Sequence, residues 1–299
     1  MSKETFRNIG LIGRPGKASV VQTLEVLERY LVDAGAKVIY DEDTARLMPA
    51  MSQQVCSRAL MGEMCDLVIV VGGDGSLLHA ARVLARFKTP VLGVNRGRLG
   101  FLTDISPEEL IPKVAEVLSG NYTMDHRFLL NLEVRSNGSP VNESVALNDV
   151  VLHAGKSVHM IEFELYVEGE FVYRQRSDGL IIATPTGSTA YALSGGGPIM
   201  HPKLDAIVVV PMHPHTLSSR PIVVDGNSEI KIRICETRIR PMVSPDGHSG
   251  ISLNPGDWLY IKKHPFKLRL IHPPGYDFYA ACRTKLGWGS PITGDDDSE

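Results

Sequence analysis

Apolar residues follow two different rhythms along this chain, and the change between them divides it. From Phe6 to Ile12 they are almost continuous, as in a strand covered on both faces. Gly13-Arg14-Pro15-Gly16 then reads as a turn. Val20, Leu24, Leu27 and Leu31 recur at helical spacing within Ser19–Ala34, and Gly35 closes that helix. Val38–Tyr40 predicts a short strand, Gln54–Met64 a helix, and Asp66–Val71 a second doubly covered strand. After Gly72–Gly75, Leu77, Leu78, Ala81 and Leu84 predict a helix beginning near Ser76, and Pro90–Val94 another strand. Alternating strands and helices predict a doubly wound α/β domain.

Beyond residue 125 strand patterns dominate, punctuated by Gly, Pro, Asn and Asp. Strands are expected at Phe128–Arg135, Ala146–Leu152, Met160–Val167, Glu170–Gln175, Gly179–Ala183, Ala206–Val210, Ile222–Val224, Glu229–Cys235, Trp258–Lys262 and Lys267–His272. Ser188–Ser194 is the one short helix expected among them. The division is therefore an N-terminal α/β domain over 1–125, joined by 275–290 as the chain end returns to it. A β-rich C-terminal domain spans 126–274, and 291–299 forms an acidic tail expected to be disordered.

Composition narrows the class without choosing a function. With 43% apolar and 22% charged residues the chain is ordinary globular protein. A formal charge of −3 and scattered Lys and Arg argue against a nucleic-acid partner. No apolar run approaches the ~18 residues of a membrane span, and Met1–Asn8 lacks an apolar signal core. The four cysteines, Cys56, Cys65, Cys235 and Cys282, form no Cys-x-x-Cys pair, as expected of reduced thiols in a cytoplasmic protein.

The strongest chemical signal is Gly72-Gly73-Asp74-Gly75 between a strand and a helix. Ligands of open α/β sheets bind beyond the carboxyl ends of the strands. Glycines there let backbone N–H groups approach phosphate oxygens, and the helix start adds a positive end. Asp74 could take a proton from a hydroxyl or hold a metal ion; equally, it could cap the helix. Asn148-Asp149 is a pair suited to ribose hydroxyls, or else an Asx turn. Gln175–Gly179, Thr184–Tyr191 and Ser194–Pro198 are rich in small polar residues able to wrap a nucleotide, with Tyr191 able to stack. Gly10, Gly13 and Gly16 do not have dinucleotide-fingerprint spacing, and no P-loop sequence occurs. His201, His213 and His215 lack the spacing of a helical zinc site, and no protein-bound metal site is assigned.

Taken in order, these motifs resemble the NAD kinase family, in the form found in Gram-negative bacteria. The resemblance runs through Gly72–Gly75, Asn95-Arg96-Gly97, Leu99–Leu102, Asn148-Asp149, Asp178-Gly179, Thr184–Tyr191, Pro211–Pro221, Asp246-Gly247 and Thr284–Trp288. It implies ATP-dependent phosphorylation of the 2′-hydroxyl of the adenosine ribose of NAD, giving NADP. It also implies a divalent metal ion, Mg²⁺ for preference, carried with ATP, and a homodimer or homotetramer. Asp74 corresponds to the general base. Gly72, Gly73, Gly75, His79, Asn148, Asp149, His159, Arg176, Asp178, Thr189, Ala190, Tyr191, Ala192, Leu193, Ser194 and His248 correspond to NAD or nucleotide contacts. Two positions depart from the usual pattern: Asp149 stands where Glu is common and His248 where Gln is common.

The Gly72–Gly75 loop is shared with diacylglycerol-type lipid kinases, and a non-catalytic NAD sensor would also keep the fold. The first would need a route to a membrane surface, and no basic amphipathic helix provides one. The second would have no need of Asp74.

Overall fold

The computed structural model describes residues 6–48, 53–97, 100–155, 159–216, 218–236, 239–248 and 250–288. The acidic tail expected over 291–299 lies outside the described residues. The chain forms two compact units. Of the described residues, the first takes those up to Leu77, Val91–Met124 and those from Ile271 onward; the second takes Leu78–Pro90 and Asp125–Leu270.

The first unit is built on β1 (Asn8–Gly13), α1 (Ala18–Asp33), β2 (Lys37–Asp41), α2 (Glu42–Ala45), β3 (Gln54–Cys56), α3 (Arg58–Met64), β4 (Leu67–Gly72), the start of α4 (Asp74–Leu84), β5 (Val91–Asn95) and α5 (Leu110–Leu118). Its strands are parallel, in the order β3-β2-β1-β4-β5. This is the doubly wound order, and it reverses direction between β1 and β4. All six residues of β4 are buried, which accounts for the unbroken apolar run there. Val20, Leu24, Leu27 and Leu31 of α1 are fully buried against Leu11, Ile69 and Val94. α1 ends as its sequence directs: Gly35 takes φ 81°, and the Ala36 N–H reaches back to the Leu31 carbonyl at 2.9 Å.

Gln54–Met64 is not one helix. Gln54–Cys56 pairs with β2 as an edge strand, and α3 begins after Ser57, whose Oγ accepts from the Leu60 N–H at 3.3 Å. Ser57 is an N-cap inside an otherwise helical-looking run.

The second unit holds β6 (Thr123–Ser136), β7 (Ser139–Ala146), β8 (Asp149–His153), β9 (Ile161–Val167), β10 (Glu170–Ser177), β11 (Gly179–Ala183), α6 (Tyr191–Ser194), β12 (Ala206–Met212), β13 (Ile222–Asp225), β14 (Ile230–Ile234), β15 (Met242–Pro245), β16 (Ile251–Ser252) and β17 (Trp258–His272). The chain enters this unit within β6 and leaves it within β17, and α7 (Phe278–Leu286) belongs to the first unit. One sheet runs β10-β9-β14-β17 with β6 and β7 as a hairpin; the other runs β13-β12-β11-β8-β15-β16. Alternation decides which face each residue covers. Val150, Leu152, Leu180, Ile182, Ile207 and Val209 join Phe163, Leu165, Ile230, Ile232, Leu259 and Ile261 in the core between the sheets. Their neighbours Val151, Ile181, Ala183, Val208 and Val210 pack on the opposite face with Ala192 and Met200. Both faces are covered, so these strands read as continuous apolar runs.

Further strand expectations change, and so does one helix. Ala146–Leu152 is the end of β7 and then β8, turning at Leu147-Asn148. Trp258–Lys262 and Lys267–His272 are one strand, continuous through an exposed polar middle. The expected helix at Ser188–Ser194 is a 3-10 turn over Gly187–Thr189 followed by the single-turn α6, interrupted at Ala190. Among the described residues no helix is long and apolar enough to cross a membrane.

Candidate functional site

In the first unit the chemistry gathers at the switch point between β1 and β4. The Arg14 N–H bonds the Val71 carbonyl at 3.1 Å and the Arg96 N–H bonds the Gly72 carbonyl at 2.7 Å, so the loop after β4 lies between the ends of β1 and β5. A side chain at Gly72 would run into Ser76, while open space faces Gly73 and Gly75. Asp74 is the first residue of α4, whose leading amides have no acceptor within the helix.

The Asp74 carboxylate is held by a distant loop and takes none of its hydrogen bonds from its own helix. Its Oδ1 accepts from the Leu102 N–H at 3.1 Å, the Thr103 N–H at 3.2 Å and the Thr103 hydroxyl at 3.1 Å. Its Oδ2 accepts from the Phe101 N–H at 2.9 Å. Lys285 Nζ stands 3.8 Å from Oδ2. A carboxylate offers about four lone-pair directions, so the bonds saturate Oδ1 and leave Oδ2 an open direction. Gly100 is required here, because a Cβ would collide with both the Asp74 carboxylate and the Thr103 hydroxyl.

In the second unit a cavity of about 470 Å³ lies on the outer face of the β8 sheet. Asp149, Val151 and His153 alternate along β8 and point the same way, joined by Asn148, Ala190, Tyr191, Ser244, Asp246 and Gly247. Asp246 organises this wall. Its carboxylate accepts from the N–H groups of Leu147 at 2.9 Å, Asn148 at 2.7 Å and Asp149 at 3.2 Å. Its own N–H returns a bond to the Asp149 carbonyl at 2.8 Å. From the other side the Thr184 hydroxyl donates to the Leu147 carbonyl at 2.6 Å and the Thr184 N–H to the Asn148 carbonyl at 2.9 Å. Gly187 packs so closely on Asn148 that a Cβ would overlap its backbone. The turn carrying Asn148 and Asp149 is thus clamped from both sides, which leaves their side chains to face the cavity.

The electrostatics follow from burial. Asp149 is 4% exposed, and burial, reinforced by the Asp246 charge, pushes its carboxyl up to about 7. Asp246 is also raised by burial, opposed by its three backbone N–H partners and by Arg82. His153 is lowered by burial. The Gly155 N–H donates to His153 Nδ1 at 3.1 Å, so Nε2 carries the proton toward Ser244 Oγ at 3.0 Å.

The remaining sequence-derived positions divide. His79 and His248 come together, ring centroids 5.4 Å apart, with Arg82 Nη2 2.8 Å from His79 Nδ1. Tyr191 is half-exposed at the cavity wall beside Ala190. The Thr189 hydroxyl turns back to the Thr186 carbonyl at 3.2 Å, and Ala192 is buried in the core beneath. Leu193 is partly buried, while Ser194 lies in a second depression with Tyr191, His213 and Pro214. Asp178 pairs with His213 at 3.1 Å just before β11, at the His153 end of β8 and away from Asn148. Arg176 and His159 are exposed and line none of these walls. Sequence reasoning missed Asp246, Ser244 and His153, and the 101–103 loop as the holder of Asp74. The pair Asp246-Gly247 was visible as a motif, and φ 49° at Asp246 shows the turn that aims its carboxylate. Among the described residues no three His, Cys, Asp or Glu side chains form a metal cage.

Comparison with known proteins points one way over nearly the whole chain. Residues 9–122 match the ATP-NAD kinase N-terminal domain and residues 147–273 the ATP-NAD kinase C-terminal domain. The chain is similar to the NAD kinase of Acinetobacter baylyi, 65% identical over 96% of this chain and 94% of the relative. It is 61% identical to the NAD kinase of Azotobacter vinelandii, over 97% of this chain and 99% of the relative. Among solved structures it resembles yeast NADH kinase complexed with NADH, with TM-score 0.90 and 26% identity over 98% of this chain and 91% of that one. It also resembles an NAD kinase from Archaeoglobus fulgidus in complex with ATP, with TM-score 0.70 and 26% identity over 89% of this chain and 94% of that one.

Proposed function

The chain belongs to the ATP-NAD kinase family, and from that premise we propose which of its residues carry the phosphorylation of NAD by ATP and how. The reaction moves the γ-phosphoryl group of ATP to the 2′-hydroxyl of the adenosine ribose of NAD, giving NADP and ADP. A ribose hydroxyl is a poor nucleophile at neutral pH, and phosphoryl transfer has a loose transition state. The protein must therefore position the two substrates in line, neutralise charge and remove one proton.

Asp74 removes the proton. The observation that supports this reading is the division of labour within its carboxylate: Oδ1 is saturated by the 101–103 loop, while Oδ2 keeps an open direction. As the new O–P bond forms, Oδ2 accepts the 2′-hydroxyl proton. Glycines and the leading amides of α4 give the phosphates backbone donors beside it. Asn148 and Asp149 receive the ribose: the amide donates and accepts, and the ionised carboxylate accepts from hydroxyls in charge-assisted bonds. Tyr191 offers a ring face for a base, and Ala190 leaves room beside it. His79, His159, Arg176, Asp178, Thr189, Leu193, Ser194 and His248 remain proposed contacts; Ala192, buried in the core, contributes through the backbone.

The metal fits the same picture. Mg²⁺ commonly binds through one or two carboxylates together with substrate phosphates, not a dedicated protein cage. The residues here suit that mode: among the described residues no three His, Cys, Asp or Glu side chains form a cage, so the cation would be held chiefly by the phosphates of ATP, leaving Oδ2 of Asp74 to the proton. When bound, the cation would neutralise phosphate charge.

We place the reaction in the cytoplasm, in keeping with four buried free cysteines. The working form is a homodimer or homotetramer, checked by light scattering at micromolar concentration; a fully active monomer would contradict it. The function itself is tested by assaying purified protein with ATP and Mg²⁺ against NAD and, separately, diacylglycerol in micelles. NADP should form and no phosphatidate. Phosphatidate formation would favour a lipid kinase, and NAD binding without turnover would favour a sensor.

A further inference from the structure

Helix α7 brings one cation to Asp74 that the reading so far leaves without a task. The helix is defined at both ends: the Asp277 carboxylate accepts from the Tyr279 N–H at 2.8 Å, and Gly287 closes it at φ 67°. Within its last turn, Lys285 Nζ lies 3.8 Å from Asp74 Oδ2 and 4.7 Å from the centre of the Phe101 ring. Phe101 is the residue whose N–H holds that same Oδ2, and its ring packs on Phe278 of α7, centroids 6.4 Å apart. The ammonium is therefore aimed at the open side of the carboxylate by a helix, a ring and a loop.

Its bonding state matters as much as its position. At 3.8 Å it is an ion pair without a hydrogen bond, and among the described residues no other group accepts from it. The aromatic face holds the charge only weakly. Three N–H donors are thus kept close to the reacting position without being committed. Around them the first unit is already arranged for anions: the start of α4 points its amides there, and Arg14 and Arg96 follow the strands on either side of the loop.

We propose that Lys285 is a further catalytic residue, whose ammonium leaves Asp74 Oδ2 when ATP binds and neutralises the γ-phosphoryl group during its transfer. This rests on the reading of Asp74 as the base, and it assigns two roles to one oxygen in sequence. Lys285 stands over Oδ2. With the triphosphate present, the stronger anion draws the lysine away, which uncovers Oδ2 for the hydroxyl proton. A compact ammonium on a flexible stem suits such a move better than a planar guanidinium, whose fork favours one fixed geometry.

The test uses the full-length protein with Lys285→Met and Lys285→Arg, alongside Asp74→Asn. NADP formation is followed while ATP and NAD are varied separately, and each variant's melting temperature is recorded. Loss of one preorganised charge-stabilising group costs on the order of 10²–10³ in kcat. Lys285→Met should fall by that order, its KM for ATP should rise, and its KM for NAD should stay within about twofold. Lys285→Arg should recover at least a tenth of the parent rate. A Lys285→Met rate within about threefold of the parent overturns the proposal. So does a Lys285→Arg variant that melts like the parent yet is no faster than Lys285→Met. If Lys285→Met does not fold, Lys285→Gln, a neutral and polar side chain, takes its place under the same criteria. An inactive Asp74→Asn beside a normal Lys285→Met would sink the lysine and leave the base standing, whereas an active Asp74→Asn would sink the base.

Discussion

At Asp149 burial and a neighbouring carboxylate act in the same direction, and together they push its titration up to about 7. The consequence for stability has a definite sign. Between the ordinary value of 3.8 and about 7, the folded chain holds a proton that the unfolded chain has lost. The group therefore stabilises the fold fully below 3.8, and that contribution is lost as pH rises to about 7. Asp149→Asn has no such group, so its melting temperature should gain on the parent's between pH 4 and pH 8. About 1 kcal/mol corresponds to ~2–4 °C in a unit of this size. Parallel melting curves across that range would show that the carboxyl is not perturbed. Binding runs the other way: the parent's affinity for NAD should tighten as pH rises from 6 to 8, because the ionised form accepts a charge-assisted bond from the ribose hydroxyl that Asp74 leaves free. The Asn variant's affinity should be flat. Asp74, Asn148 and Asp149 were legible in the sequence because each is a polar group at a strand end, Asp74 among glycines and the other two beside an apolar run. Their supports were not. Asp74 is held from 27 to 29 positions away and Asn148 from 98, and no local pattern announces such a pairing.

Among the elements, the turn between β7 and β8 depends most on one distant acceptor. Asp246 satisfies three consecutive N–H groups there. Each bond to a charged acceptor is worth about 1.5–3 kcal/mol, and the losses overlap when one group is removed. Asp246→Ala should cost roughly 2–4 kcal/mol in urea unfolding and weaken NAD binding more than ATP binding. An unchanged midpoint with unchanged NAD affinity would mean that the turn holds itself. Element boundaries were less legible than element types, for identifiable reasons. β7 is polar and mostly exposed, so it lacks an apolar signature, although Asn137-Gly138 marks the hairpin with φ 49° and 80°. β17 looked like two strands because its middle, around Lys262–Lys267, is exposed while its ends are buried. α3 was merged with β3 because the capping Ser57 was read as a helical residue.

At the scale of the whole molecule, the change from alternating strand and helix to strand alone marked the two architectures, because each buries apolar residues at its own period. The discontinuity is harder to read. Leu78–Pro90 belongs to the second unit although α4 starts in the first, and a helical pattern carries no sign of such a division. The account's central claim concerns what the intact enzyme does with Asp74, and Asp74→Asn tests it most directly. Asn keeps the shape and can still accept from the 101–103 loop at one oxygen, but it cannot take the 2′-hydroxyl proton. It loses only the Phe101 bond at the former Oδ2, so a purely structural role would show as a lower melting temperature with turnover of the folded variant kept. The measurement is the rate of NADP formation by the purified variant beside its affinity for NAD. General-base help is worth about 10²–10⁴-fold, so the rate should fall by at least about a hundredfold while NAD affinity stays within a few-fold of the parent. A variant that makes NADP within a few-fold of the parent rate would contradict the assignment of Asp74 as the base.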